Sequence, residues 1–185
     1  MKVVKGGIAA PQGFLANGIA CGIKRSGKTD LGLIASTVPA VTAAVFTKNS
    51  IKAAPLVVSM KHAARGRGWA VLVNSGNANC YTGALGLKHA KNSTRLVAQL
   101  LGTKPEYVLV TSTGIIGKSL PYHKIMNAAP ALVKGLSPSG GSKFARAIMT
   151  TDLKVKEIAV QVKLGHKTVT IGACAKGSGM IEPNM

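Results

Sequence analysis

Trp69-Ala-Val-Leu-Val-Asn-Ser-Gly-Asn-Ala-Asn-Cys80 is the stretch whose reading decides the fold. Its first half, Trp69–Asn74, is an aromatic and β-branched run and predicts a strand. Its second half packs three amides and a glycine, which suits a turn-rich loop. Next comes Ala84–Leu101, which puts Leu87, Ala90, Thr94, Val97 and Leu101 on one face with Gly102 as a stop, so a helix is expected there. Tyr107–Ser112 then returns to a strand-like run. Strand, helix and strand in succession predict a sheet covered by helices, of α/β or α+β class.

The same punctuation continues in both directions. Further strands are expected at Gly18–Ile23, Asp30–Ser36, Ala40–Thr47, Ile158–Val162 and Thr168–Cys174. Lys163-Leu-Gly-His-Lys167 reads as the turn of a hairpin joining the last two. Lys24-Arg-Ser-Gly-Lys-Thr-Asp30 reads as the tip of another. Helices are expected at Tyr122–Lys134 and Ser142–Thr150. Pro121 suits the start of the first, and Pro130 inside it predicts a kink or an early end. No repeat or low-complexity linker interrupts the chain, whose 185 residues are enough for one domain, residues 1–185.

Composition narrows the function classes. Aromatics make up 4% of the chain, so the core must be built from Val, Ala, Ile and Leu. Lys and Arg number 24 against 5 Asp and Glu, a formal charge of +19. Such a balance suits a nucleic acid or an acidic partner chain. The basic residues are scattered, with Lys61–Arg67 the only dense cluster, and no aromatic ladder offers a stacking platform. An acidic partner chain therefore fits better than nucleic acid. Cys21, Cys80 and Cys174 lack metal-ligand spacing and read as reduced thiols of a cytoplasmic protein. The apolar runs are too short to span a membrane, and Met1-Lys-Val-Val-Lys-Gly-Gly7 lacks the core of a signal peptide.

Several segments carry candidate chemistry. The acids Asp30, Glu106, Asp152, Glu157 and Glu182 form no evident catalytic pair. His62, His89, His123 and His166 sit among polar, helical or turn residues and read as solvated. Gly22-Ile-Lys-Arg-Ser-Gly-Lys-Thr29 matches the phosphate-loop spacing literally, yet a strand-like run follows where a helix is required. Thr111-Ser-Thr-Gly-Ile-Ile-Gly117 follows a strand directly. It is either an ordinary turn or a device that aims a hydroxyl and backbone N–H groups at one point, as an oxyanion hole does. Asn74–Cys80 is either a turn or a polar ligand surface, and Met149-Thr-Thr-Asp152 is either a cap or part of a site. Lys176-Gly-Ser-Gly-Met-Ile-Glu-Pro-Asn-Met185 mixes glycines, apolar residues and a proline, unlike an expendable polar tail.

Together these segments resemble the ornithine acetyltransferase family, the bifunctional glutamate N-acetyltransferases and amino-acid acetyltransferases of arginine biosynthesis. The carriers are Gly13-Phe14 with Gly18 and Gly22-Ile-Lys24, Ala44–Asn49, Asn74–Asn79 with Thr82-Gly83, Thr111–Gly117, Thr150-Thr-Asp152, Lys176–Ile181 and Pro183–Met185. The resemblance implies an α chain with stacked β-sheets flanked by helices, parallel in chemistry to N-terminal-nucleophile hydrolases. It implies a precursor cut just after a Pro-Asn-Met segment at an Ala-Thr bond, here just after Met185, although this chain lacks the alanine. The new threonine at the head of a β chain would be the nucleophile. Thr113 and Gly114 would form the oxyanion hole, and Thr150 and Lys176 would bind substrate. Acetyl would pass from N-acetylornithine to glutamate in a ping-pong reaction within an α2β2 heterotetramer, with no metal or cofactor and acetyl-CoA as a second possible donor. The alternatives are a relative with amidohydrolase or antibiotic-pathway acetyltransferase activity, and a basic nucleotide- or nucleic-acid-binding module.

Overall fold

The computed structural model describes residues 1–179 and 183–185. Met180 and Ile181 of the chain-end segment and the acid Glu182 lie outside the described residues. Among the described residues, two sheets and four α-helices make up the mixed α/β fold.

The larger sheet orders its strands β2 (Phe14–Ile19), β3 (Leu31–Val41), β4 (Arg67–Asn77) and β5 (Val108–Ile115). β2, β3 and β4 pair antiparallel, whereas β4 and β5 run parallel, as a strand–helix–strand crossover requires. The crossover is α2 (Gly83–Leu101), closed by Gly102 in the left-handed conformation. α2 packs against α1 (Ala54–Ala63), α3 (Tyr122–Lys134) and β5. On that face Leu31, Leu33, Leu72, Val108 and Val110 meet Ala90, Val97, Ile125 and Leu132 in the main core.

The other face takes α4 (Gly141–Ala147), which buries Phe144 against Ala16 and Val73. It approaches closely because Gly18 and Gly32 face each other across β2 and β3. A Cβ on Gly18 would stand 2.1 Å from the Lys143 carbonyl oxygen. α4 and a 3-10 turn at Gly7–Ala9 also contact the smaller sheet, formed by β1 (Lys2–Val4), β6 (Lys156–Leu164) and β7 (Lys167–Ala175) in the order β1-β6-β7. The expected hairpin at Lys163–Lys167 is the β6–β7 connection, and Lys24–Asp30 lies in the β2–β3 connection.

Several expectations need correction. The strand expected at Gly18–Ile23 lies earlier, at Phe14–Ile19, because its partner Leu31–Ser36 is matched by those six residues. Asp30–Ser36 and the start of Ala40–Thr47 are one strand with a bulge between Ala35 and Ala40. Pro39, which has no N–H to give a ladder, sits in that bulge. Beyond Val41 the partner strand has run out at Arg67, so residues 42–47 form no strand. Pro130 does not end α3, which continues to Lys134 with Leu132 buried in the core. α4 stops at Ala147, short of Thr150. α1 was not anticipated at all.

α1 guards the edge of the larger sheet. β5 is an edge strand, and Ser59 treats it as a neighbouring strand would. The Ser59 hydroxyl donates to the Val110 carbonyl at 2.6 Å and accepts from the Val110 N–H at 2.9 Å. His62 Nδ1 donates to the Val108 carbonyl at 2.8 Å. The strand that carries Thr113 is thereby held on both sides.

Candidate active site

Thr113 and Gly114 end β5 beside a bulge in β4. Gly76 pairs with Gly114, with φ of +100° and +134° respectively. Those backbone angles belong to glycine. A Cβ on Gly114 would stand 2.4 Å from the Gly76 carbonyl carbon and 2.5 Å from the Asn77 nitrogen. The two strand ends therefore approach as closely as backbones can.

Buried amides fix this junction from below. Asn74 Nδ2 donates to the Asn77 carbonyl at 2.8 Å, and the Ser112 hydroxyl donates to Asn74 Oδ1 at 2.5 Å. Asn77 Nδ2 donates to the carbonyls of Lys118 and Ser119 at 3.1 and 3.2 Å, while its Oδ1 accepts from the Asn79 N–H at 2.8 Å. Asn79 Nδ2 donates to the Gly86 carbonyl at 3.0 Å, and Thr82 donates to Asn79 Oδ1 at 2.9 Å. Asn74–Cys80 is not a plain turn: β4 runs on through Asn77, its amides brace the junction, and Gly76, Asn77, Ala78 and Cys80 line the cleft described below. Buried polar groups are satisfied internally, which holds the loop rigid.

The facing wall is knotted by Asp152. Its Oδ1 accepts from the Gly177 N–H at 2.7 Å and its Oδ2 from the Thr150 N–H at 3.1 Å. Lys156 donates to the same carboxylate and to the Gly177 carbonyl at 2.9 Å. Burial alone would raise the Asp152 pKa. The donors outweigh it and hold the carboxyl well below the usual carboxylate range. Thr151 and Ser178 hydroxyls meet at 2.8 Å. Thr150 and Lys176 are thus presented from two segments tied into one. From there the Lys176 ammonium crosses to donate to Thr113 Oγ1 at 2.8 Å.

The third side is the β2–β3 connection. Asp30 is fully buried and accepts from the N–H groups of Cys21 and Lys24 at 2.6 and 2.8 Å. Lys24 donates to the carbonyls of Thr29 and Met149 at 2.8 and 2.7 Å. This settles the phosphate-loop spacing of Gly22–Thr29: β3, not a helix, follows it, so no helix N-terminus faces a phosphate. Burial pushes the Cys21 thiol up to about 12 and the Cys174 thiol to about 11, so neither is a nucleophile at neutral pH.

These walls enclose an open cleft of about 1100 Å³ lined by all four sequence-predicted residues, Thr113, Gly114, Thr150 and Lys176, along with Lys24, Arg25 and Lys118. A second hollow, of about 70 Å³ beside Trp69 and Tyr107, is too small for an amino acid. No Asp, Glu or His is among the described residues lining the large cleft. It therefore suits a carboxylate-bearing ligand, and its described lining offers no carboxylate or imidazole to activate a hydroxyl. What sequence reading missed here is the bracing role of Asp30 and Asp152. The available signal was scarcity: only five acids occur in the chain, and these two are spent on backbone N–H groups.

The ArgJ family model matches residues 15–185. The arginine biosynthesis bifunctional protein ArgJ of Symbiobacterium thermophilum is 47% identical over 100% of this chain and 46% of its own length. That of Gloeobacter violaceus is 48% identical over 98% of this chain and 45% of its own. The chain thus spans about half the length of the curated relatives it matches. Two crystal structures superpose on it nearly end to end. The arginine biosynthesis bifunctional protein of Bacillus halodurans gives a TM-score of 0.91 at 42% identity, covering 98% of this chain and 97% of that one. The ornithine acetyltransferase of Mycobacterium tuberculosis complexed with ornithine gives 0.92 at 38%, covering 99% and 98%.

Proposed function

The chain belongs to the ArgJ family, and on that premise we propose that it is the α chain of a self-cleaving acetyltransferase that moves acetyl from N-acetylornithine to glutamate in arginine biosynthesis. The observation that carries this reading is the cleft: Thr113, Gly114, Thr150 and Lys176 converge there, around a space whose described lining has no Asp, Glu or His. Such a site holds the electrophile and the developing charge, and waits for a nucleophile that brings its own base.

An N-terminal threonine is that nucleophile. Its amine takes the hydroxyl proton directly or through water. In this reading the threonine heads a β chain cut from the same precursor just after the Pro183-Asn-Met185 segment. Two lengths support it. Curated relatives are about twice as long as this chain, whereas the chains in the two crystal structures match it almost end to end.

The chemistry then runs in two halves. The threonine oxygen attacks the acetyl carbonyl of N-acetylornithine, and the carbonyl oxygen gains negative charge. The Gly114 N–H and the Thr113 hydroxyl stabilise that oxyanion. Because the Lys176 ammonium donates to Thr113 Oγ1, the hydroxyl proton of Thr113 is free to point at the oxyanion, and its oxygen is polarised to donate more strongly. The C–N bond breaks, ornithine leaves as an amine with the proton, and acetyl remains on threonine as an ester. The glutamate amine attacks that ester, forms N-acetylglutamate and returns the threonine hydroxyl. Thr150 and the ammonium of Lys176, which has donors to spare, hold substrate, with lysine facing a carboxylate. No metal or prosthetic group is needed. Acetyl-CoA is an alternative acetyl donor in the same acyl-threonine scheme. The assembly is an α2β2 heterotetramer in the cytoplasm, and an acidic β chain balances the charge of +19.

Intact-mass analysis with N-terminal sequencing of the full-length protein tests the reading. A second chain beginning with threonine is expected, and an uncut protein overturns it. Thr113→Ala is expected to lower acyl transfer on the order of 100-fold, the cost of one oxyanion donor. Unchanged transfer would remove Thr113 from the hole.

A further inference from the structure

Residues 42–49 leave the sheet after β3 and form no regular element, yet they are held in place. The Thr42 N–H donates to the Gly66 carbonyl at 3.0 Å. Asn49 Oδ1 accepts from the Ile51 N–H at 2.9 Å, and Lys52 donates to the Asn49 carbonyl at 2.7 Å. The Ala54 N–H donates to the carbonyl of Asn79, one of the amides that brace the cleft, at 3.2 Å. Ala53 itself lines the cleft. The segment is a braced arm that leads to the site.

That arm grips the chain end. The Thr47 hydroxyl donates to the Pro183 carbonyl at 2.7 Å. Its lone pair is occupied by the Asn49 N–H at 3.2 Å, which aims the hydroxyl proton outward at Pro183. The Lys48 N–H donates to the next carbonyl, that of Asn184, at 2.9 Å. Pro183 has a restricted φ, and Asn184 takes a φ of +47°, a turn that redirects the chain. Two successive carbonyls are therefore pinned where the chain changes direction.

We propose that the Thr47 hydroxyl and the Lys48 N–H form a clamp that positions the precursor for its own cleavage. The clamp depends on the reading above, in which the cut falls just after Met185 or one residue later. Two residues of extended chain reach about 7 Å, so fixing Asn184 confines the carbonyl that must be attacked. Attack requires reacting atoms in near-contact and aligned. Thr47 is a positioning residue here, since it acts on the backbone and not on the reacting atoms. Once the cut is made, the clamp has no part in transferring acetyl.

The test uses the full-length precursor carrying Thr47→Val or Thr47→Ser, with cleavage followed by intact mass over time. Valine keeps the shape and removes the hydroxyl. Thr47→Val is expected to slow cleavage about five- to tenfold, the worth of one hydrogen bond, while Thr47→Ser stays near the unsubstituted rate. The Thr47→Val enzyme that does mature is expected to show unchanged kcat and KM for acetyl transfer and an unchanged melting temperature. Cleavage of Thr47→Val at the unsubstituted rate overturns the clamp. So does equal slowing by both variants, or a matching loss of kcat or melting temperature, since those results mark a packing role. An unsubstituted precursor that never cleaves sinks the self-cleavage reading, and the clamp falls with it for that separate reason.

Discussion

Gly114 and Thr113 sit side by side but depend on different physics. Gly114 combines a φ of +134° with a Cβ position 2.4 Å from a backbone carbon that cannot move aside. Strain and overlap both oppose Gly114→Ala, which is expected to cost about 2–5 kcal/mol of stability. Urea unfolding would measure it, and a cost under about 1 kcal/mol would show that β4 and β5 can part without penalty. Thr113 is half-buried and braces nothing in that way. Its replacement should affect chemistry and leave stability alone. The pair was legible in the sequence because a strand ending in hydroxyls and glycine announces itself within seven residues, Thr111–Gly117. Asn74, Asn77 and Asn79 were legible as turn formers or as a polar ligand surface, whereas the first two lie in β4 and all three amides brace the strand end. Whether an amide faces a ligand or the Lys118 carbonyl depends on residues some forty positions away, and no local pattern encodes that.

Elements hold these residues through contacts between segments distant in sequence. Ser59 illustrates the first: one hydroxyl satisfies both polar groups of Val110 on an edge strand. Ser59→Ala leaves a buried N–H and a buried carbonyl without that partner. A loss of about 1–3 kcal/mol is expected, read as faster hydrogen exchange along Val108–Ile115. Exchange unchanged there would mean that α1 guards the edge by coverage alone. α1 escaped sequence reading because Pro55 and the Val57-Val58 pair mimic a loop and a strand, whereas α2 and α3 were legible from their one-sided apolar spacing. Asp152 ties Thr150 to Gly177 and illustrates the second kind of contact. Its folded pKa lies below the ordinary 3.8, so its contribution is complete above that value and fades only as pH falls toward the lower folded one. The knot should therefore persist across pH 5–8 and loosen only in stronger acid. Asp152→Asn removes the charge and is expected to lower the melting temperature by about 2–6 °C at pH 7, with a smaller difference near pH 3. An equal difference at both pH values would deny the carboxylate its role.

At the scale of the molecule, two surfaces lack an evident partner among the described residues. The first is electrostatic: 24 cations face five acids, and Asp30 and Asp152 are consumed internally. The second is apolar. In the smaller sheet Val3 lies opposite Val160, and Val160 opposite Ile171, so register puts all three on one face, with Ile158 and Ala173 beside them. Val3 is 67% exposed, Ile171 53% and Ile158 52%. A contiguous apolar face of this kind marks an interaction surface more often than a free one. Net charge opposes self-association by repulsion, while the apolar face promotes it, so salt decides between them. If a second chain from the precursor covers that face, residues 1–185 expressed alone should bind a hydrophobic dye and self-associate as salt rises. The matured two-chain protein should do neither. Ile171→Lys should suppress dye binding by the lone chain and weaken its hold on the second chain, because one position serves both. A lone chain that stays monomeric and dye-silent at high salt would mean that the sheet face is not covered, and the balancing partner would have to be sought over the basic cleft instead.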